Sequence, residues 1–324
     1  MMCAKLSKGS ALKHILVVSL TNIGDVVLTC PVIDILRRDF PTAKIDVMIG
    51  PKAVTLFKDN PGVIVKMFDK QASVSGVLSW FFSLVGTRYD LVVDLRHTML
   101  PVFLMPEFAT PVLFRKSIEG HKKDVHLNCL RQIYEFTVLA RERQAVVTTK
   151  EDGLFFEREV APFLEGKDFV LIAPGAASLE KRWHPEGFAA VADHLSASYK
   201  IVFVGDGNDA KLVGDIQGLM KAPSLSLAGR IHLRQLAYVL KKCAWALTHD
   251  SGVMHLASYF DVPQLVLWGP TDVKKYAPWS ARAVVVRRNE KCIRCLDPKS
   301  AAAHNCMTLI EAADVIKAAA QLQK

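Results

Sequence analysis

Short β-branched runs separated by stretches of helical period recur along almost the whole chain. That alternation constrains the fold more than any other feature, because it is the pattern of βα units feeding a parallel sheet. In the first half the runs fall at 14–20, 44–49, 63–68, 90–95 and 111–114, with helical stretches such as 33–40 and 74–85 between them. In the second half they fall at 169–173, 200–204, 224–227, 244–248, 264–268 and 283–286. Two series imply two sheets. The 324 residues suffice for two domains, since single cores stop growing near ~250–300 residues. The expected division is 1–160 and 161–324, with 124–143 helical before it, the crossing carried by 144–151 or 162–167, and a terminal helix over 308–323.

Composition narrows the function classes. With 51% hydrophobic and 23% charged residues the chain is globular rather than disordered or fibrous. Its 41 Lys and Arg against 32 Asp and Glu give +9, spread over both halves, which favours an anionic partner: a phosphorylated small molecule, anionic lipid or nucleic acid. Seven cysteines is an odd number, and Cys3, Cys30, Cys129 and Cys243 are isolated, which suits a reducing cytosol. The apolar run at 15–20 is too short for a signal-peptide core. The most lipid-like stretch, 98–114, is broken by Glu107, Pro101, Pro106 and Pro111 and cannot span a bilayer as one helix. A soluble chain is expected.

Four strand exits carry candidate chemistry. Gly205-Asp206-Gly207-Asn208-Asp209-Ala210 matches a dinucleotide fingerprint, but that site needs an acidic residue about 20 positions on. Residues 224–230 contain none. A glycine turn with Asn208 or Asp209 capping the next helix is the better reading. His249-Asp250-Ser251-Gly252-Val253-Met254-His255 begins a helix after an apolar strand. There Gly252 permits close approach, Ser251 offers a hydroxyl, and free N–H groups point at an anion; a plain N-cap at Asp250 or Ser251 explains it equally. Ala173-Pro174-Gly175-Ala176-Ala177-Ser178 runs into Lys181-Arg182-Trp183, adjacent cations of the kind a pyrophosphate leaving group needs. A solvated basic loop with Trp183 docked in the core is the commoner reading of a lone Lys-Arg pair, and the position at a strand exit is what favours the site. Thr21-Asn22-Ile23-Gly24-Asp25 follows the first strand. Asp25 is a first-turn acid if a helix begins there, and a loop carboxylate if the helix begins at Pro31.

Taken together these motifs resemble the heptosyltransferase family, glycosyltransferase family 9. The resemblance runs through Ile15-Leu16-Val17-Val18, Gly24-Asp25-Val26-Val27-Leu28-Thr29-Cys30-Pro31, Pro174-Gly175-Ala176, Lys181-Arg182-Trp183, Asp250 to Ala257 and Gly269-Pro270-Thr271-Asp272. It implies the GT-B architecture, two Rossmann-like domains with parallel sheets facing a central cleft and a C-terminal helix. It also implies metal-independent, inverting transfer of a heptose, usually from ADP-heptose, to a lipopolysaccharide inner-core acceptor. Asp25 then falls on the base. Ser178, Lys181, Arg182, Gly205, Asp209, Ile231 and Asp250, Ser251, Gly252, Val253, Met254 and His255 fall on the donor site, and Asn22, Arg96, Lys122 and Lys123 on the acceptor side. No cofactor and no nucleic acid are implied. The enzyme is expected in the cytoplasm, with peripheral contact to an anionic inner-membrane surface.

Two rival activities remain open on the same phosphate loops, a GT-B-like sugar-nucleotide epimerase and a non-catalytic sugar-nucleotide-binding protein. Cys292-x2-Cys295 followed by His304-x-Cys306 resembles a cysteine-rich tail found in part of the family, with Ser300 where a further cysteine stands there. By residue type this is a zinc set. Three unligated thiols in a basic loop account for it as well, and no metal is assigned from sequence.

Overall fold

The structure is a computed structural model that describes residues 6–69, 71–112, 119–138, 145–297 and 299–322. The chain divides into two compact units, Met1–Val147 and Thr148–Lys324. In the first, strands β1 (His14–Val18), β2 (Lys44–Ile49), β3 (Val63–Met67), β4 (Leu91–Asp94) and β5 (Phe108–Ala109) form one sheet in the order β3-β2-β1-β4-β5. All its pairings are parallel, with Ile15 beside both Ile45 and Leu91. The second unit holds β6 (Phe169–Ala173), β7 (Lys200–Phe203), β8 (Ser224–Ser226), β9 (Trp245–His249), β10 (Gln264–Trp268) and β11 (Ala283–Arg287). They too are parallel, in the order β11-β10-β9-β6-β7-β8.

Central strands such as β6, β9 and β10 are buried along their whole length, the mark of a sheet covered on both faces. Each order reverses at its first strand, between β1 and β4 and between β6 and β9. In open α/β sheets such switch points are where ligands bind, beyond the carboxyl ends of the strands.

The strand runs fall where the alternation puts them, apart from the last of the first half. The strand expected at 111–114 is replaced by β5, whose Phe108 and Ala109 pair with Leu91 and Val92; residues 113 and 114 lie outside the described residues. Pro111 has no N–H to give a ladder, whereas Thr110 still donates its N–H to the Val92 carbonyl.

The first helix, Ile23–Asp39, begins ten residues before the expected start at 33 and runs through Pro31. Proline removes one helical hydrogen bond, but Val26, Val27, Leu28, Cys30, Val32, Ile33, Ile35 and Leu36 are all buried in this helix. Burying that many apolar side chains outweighs one lost bond. The helix expected over 124–143 is Lys122–Arg131, with 139–143 outside the described residues. The terminal helix is shorter than expected, Ala312–Ala319.

The units part after Val147, earlier than the expected division after Val160. Ala145 is held by the first unit, its N–H donating to Asp34 Oδ1 at 2.8 Å and its carbonyl accepting from Asn60 Nδ2 at 2.8 Å. Helix Lys150–Glu159 instead belongs to the second, where Phe156 packs on Phe169 and Tyr238. There Asp152 forms a buried ion pair with Arg234 at 2.8 Å. The second core joins Ile172, Phe188, Phe203, Leu247 and Leu267 to Trp183 and to Met307, Ile310 and Val315 from the C-terminal segment.

Candidate active site

In the first unit the switch point collects Asn22, Asp25 and Arg96. Asn22 is the extended N-cap of helix Ile23–Asp39, and its Nδ2 donates to Asp25 Oδ2 at 3.0 Å. Asp25 is therefore a partly exposed first-turn carboxylate at the carboxyl end of β1, not a residue of a loop leading to a helix that starts at Pro31. Arg96 follows β4, the neighbour of β1. Its N–H is fixed by Asp94 Oδ1 at 3.0 Å, and its guanidinium lies 5.4 Å from the Phe68 ring centre. Lys122 and Lys123 open a separate helix capped by His121, and Lys123 Nζ pairs with Asp124 at 2.6 Å.

In the second unit the loops after β6 and β9 meet. Lys181, in a short 3-10 turn after Ser178, places Nζ 2.7 Å from Asp250 Oδ2. Asp250 is 8% exposed and its other oxygen lies 3.9 Å from His255 Nε2. This carboxylate thus aims Lys181 rather than facing a ligand anion itself. Arg182 donates from Nε to the Ala176 carbonyl at 2.9 Å and approaches Asp209 at 3.5 Å. Ser178 is exposed beside them.

Helix Gly252–Tyr259 starts at the same edge. The N–H groups of Gly252, Val253 and Met254 have no acceptor within that helix. The Ser251 hydroxyl oxygen is covered and has no hydrogen-bond partner among the described residues. An anion seated here would satisfy both. The side chains of the next turn point inward: Met254 is fully buried against Val266 and Trp268, and His255 stacks on Trp279 with ring centres 5.6 Å apart.

Beside this edge, after β7, Gly205 opens the turn that resembles a dinucleotide fingerprint. Asp206 caps the short 3-10 turn Gly207–Asp209, and Asp209 stands at the N-cap position of the following helix Ala210–Leu219 without a side-chain cap bond to it. Asp206 Oδ1 accepts from the N–H groups of Asn208 and Asp209, and Asp209 Oδ2 accepts from the Asp206 N–H at 3.2 Å. Burial raises the Asp209 carboxyl above its ordinary value. Gly175 exists because of this carboxylate, for a Cβ there would lie 2.1 Å from Asp209 Oδ2. The Gly229 N–H bonds to the Gly205 carbonyl at 3.1 Å, which brings the loop with half-buried Ile231 next to this turn.

His249 opens the motif at 249–255 but carries no role of its own in the sequence. It ends β9 wholly buried, and its Nε2 accepts the Trp183 N–H at 3.1 Å. Burial pushes its imidazole down to about 4. The neutral ring thereby anchors the loop that carries Lys181 and Arg182. A histidine closing an otherwise apolar buried strand is the signal that marks it.

The geometry is that of two α/β units, one with a carboxylate and one with paired cations and an open helix start at their switch points. Comparison with known proteins gives the same picture. The family model "Glycosyltransferase family 9 (heptosyltransferase)" matches residues 128–305, more than half of the chain. Lipopolysaccharide heptosyltransferase 3 of Escherichia coli is 28% identical over 284 residues, which is 79% of this chain and 84% of that protein. A glycosyl transferase family 9 structure from Veillonella parvula superposes with a TM-score of 0.79 at 24% identity, covering 98% of this chain and 99% of the other. The E. coli ADP-heptose lipopolysaccharide heptosyltransferase II structure gives 0.76 at 21% identity, covering 96% and 98%. Sequence motifs, two-sheet GT-B class fold and family match agree: the chain belongs to glycosyltransferase family 9, the heptosyltransferases.

Proposed function

We propose that the chain transfers a heptose from ADP-heptose to a lipopolysaccharide inner-core acceptor with inversion at the anomeric carbon. The observation that carries the donor half is the meeting of Lys181, aimed by Asp250 at 2.7 Å, with the unsatisfied Ser251 hydroxyl at a helix start. Lys181, Arg182 and the first-turn N–H groups of Gly252 and Val253 hold the diphosphate, whose charge grows as the bond to the sugar breaks. These fixed cations and dipoles do the work of a metal ion, so none takes part in the transfer. Asp209 faces the ribose, Ile231 the base, and Ser178 and Gly205 line the approach.

On the acceptor side Asp25 takes the proton of the attacking hydroxyl. The new C–O bond forms on the face opposite the leaving diphosphate, and ADP departs with the electron pair of the broken bond. Asn22 holds the Asp25 carboxylate at 3.0 Å, while Arg96, Lys122 and Lys123 meet acceptor phosphates. Family membership disfavours the epimerase and non-catalytic alternatives. No described helix is long and apolar enough to cross a membrane. We place the enzyme in the cytoplasm, where the basic stretch of Arg282, Arg287, Arg288, Lys291, Arg294 and Lys299 gives it salt-sensitive contact with an anionic membrane surface.

One pair of variants tests the division of labour. A positioned base is worth ~10²–10⁴-fold, so Asp25→Asn lowers kcat by a factor in that range and leaves ADP affinity unchanged. Lys181→Ala does the reverse at the binding level, weakening ADP far more than the exposed-helix control Lys211→Ala. Steady-state kinetics and calorimetric ADP titration read both. Full turnover in Asp25→Asn with a slightly less stable fold would reduce Asp25 to a first-turn acid worth ~0.3–1 kcal/mol.

A further inference from the structure

Between β11 and the terminal helix lies a segment that folds against the usual logic of burial. Its aliphatic side chains Ile293 and Leu296 are 61% and 67% exposed, while Cys292 and Cys306 are wholly buried. Buried cysteines are ordinary, but leaving two neighbouring aliphatic side chains in water while the thiols turn inward is not what apolar area alone would favour. The other described cysteines, Cys30, Cys129 and Cys243, sit singly within or at the end of core helices. Here instead four side chains converge. The Sγ atoms of Cys292, Cys295 and Cys306 and a ring nitrogen of His304 all lie within 4.8 Å of one another. Cys295 Sγ is 3.5 Å from His304 Nδ1 and 4.0 Å from Cys306 Sγ, and Cys292 Sγ is 4.0 Å from His304 Nδ1.

These separations have a simple geometric meaning. Zinc bonds thiolate at ≈ 2.3 Å and imidazole at ≈ 2.0–2.1 Å in a tetrahedron, which sets neighbouring ligand atoms roughly 3.6–3.8 Å apart. The four atoms already stand near the corners of that cage. We propose that Cys292, Cys295, His304 and Cys306 bind one zinc ion as a closed structural site. Three thiolates and one imidazole around a divalent ion leave a net charge of one negative unit, and Arg287 and Arg294 line the depression beside Cys295 and His304. Asn289 supports the set from outside, with Nδ2 3.3 Å from Cys295 Sγ and donating to the Gly269 carbonyl at 2.9 Å. Such a partner, holding a ligand in place, is typical of metal sites.

The clip fixes a segment that reaches the donor loop. Gly269 lies against both the Met307 side chain and the Glu180 carbonyl, and the Ile310 carbonyl accepts the Trp183 Nε1–H at 2.9 Å. With four protein ligands and no open position, the ion is structural in role: it holds this segment against the loop that carries Trp183.

Elemental analysis of the full-length protein, purified without chelator, tests the assignment. The expected result is about one zinc per chain. In His304→Ala and, separately, Cys295→Ser, both at partly exposed positions, zinc should fall to a small fraction and the thermal midpoint by several degrees, because binding energy of a closed site is folding energy. Cobalt(II) added to the stripped wild type should give thiolate charge-transfer and tetrahedral d–d absorption, a readout that needs no variant to fold. Metal-free wild type whose midpoint ignores both chelator and zinc would overturn the proposal, as would a Cys295–Cys306 disulfide found by mass spectrometry. Iron at the same stoichiometry would overturn the choice of zinc.

Discussion

His249 shows how one sealed side chain can set the behaviour of a site it does not enter. Its ring is wholly buried and must stay neutral to accept the Trp183 N–H at Nε2. Burial lowers its pKa from 6.5 to about 4. Between those values an unfolded chain carries the proton and the folded one does not, so stability is complete above pH 6.5 and drains as pH falls towards 4. From pH 7 to pH 4.5 that amounts to about 2 to 3 kcal/mol, at 1.36 kcal/mol per unit. In His249→Gln the amide oxygen can still accept the Trp183 N–H but cannot titrate. Urea unfolding at the two pH values should therefore show a loss smaller by that amount in the variant. Parallel pH profiles in the two proteins would mean that the imidazole titrates alike in folded and unfolded chains.

At the scale of elements, the site depends on loops that exclude side chains from particular points. Residue 175, at the exit of β6, leaves room for the Asp209 carboxylate only because it is glycine, its absent Cβ lying 2.1 Å from Asp209 Oδ2. Gly175→Ala must push the carboxylate away from the Asp206 N–H and from Arg182. A lost cap costs ~1 kcal/mol, and the displaced donor loop should weaken ADP about tenfold, equivalent to 1.4 kcal/mol. Gly207 lies two residues from Asp209, yet a Cβ there meets nothing within 4 Å. Gly207→Ala should thus bind ADP as the wild type does, and equal loss in both variants would refute the steric account. These loops also mark what the sequence makes legible. Apolar runs such as Phe169–Ala173 declare their strands, because a strand buried on both faces has no polar positions to hide it. Strand exits follow from strands, which is why the sequence points to Lys181 and Ser251 as candidates. The full extent of helix Ile23–Asp39 is hard to read from sequence because Pro31 is a strong local stop signal, while the burial that overrides it is a tertiary fact. The Asp206 cap is hidden for a similar reason: Asp206, Asn208 and Asp209 can each cap, and only the backbone path decides that Asp206 closes the 3-10 turn while Asp209 precedes the helix.

Across the whole molecule, each unit carries its own sheet and its own core. Leu16, Val18, Met48 and Val92 pack together in the first, and Ile172, Phe203, Leu247 and Leu267 in the second. The chain changes allegiance over a few residues, from Ala145, bracketed by Asp34 and Asn60, to Asp152, paired with Arg234 at 2.8 Å. A compact unit with its own core can fold alone. The proposed donor residues all belong to Thr148–Lys324, whereas Asp25 belongs to Met1–Val147. The fragment Thr148–Lys324 should therefore unfold cooperatively and bind ADP with a Kd within about threefold of the full chain, a difference below about 0.7 kcal/mol. It should transfer no heptose. Adding the intact Asp25→Asn protein should not restore turnover, because neither component supplies the base. A fragment that folds yet binds ADP some thirtyfold more weakly would mean that the first unit supplies part of the donor site, and the assignment of donor and acceptor to separate units would have to be abandoned.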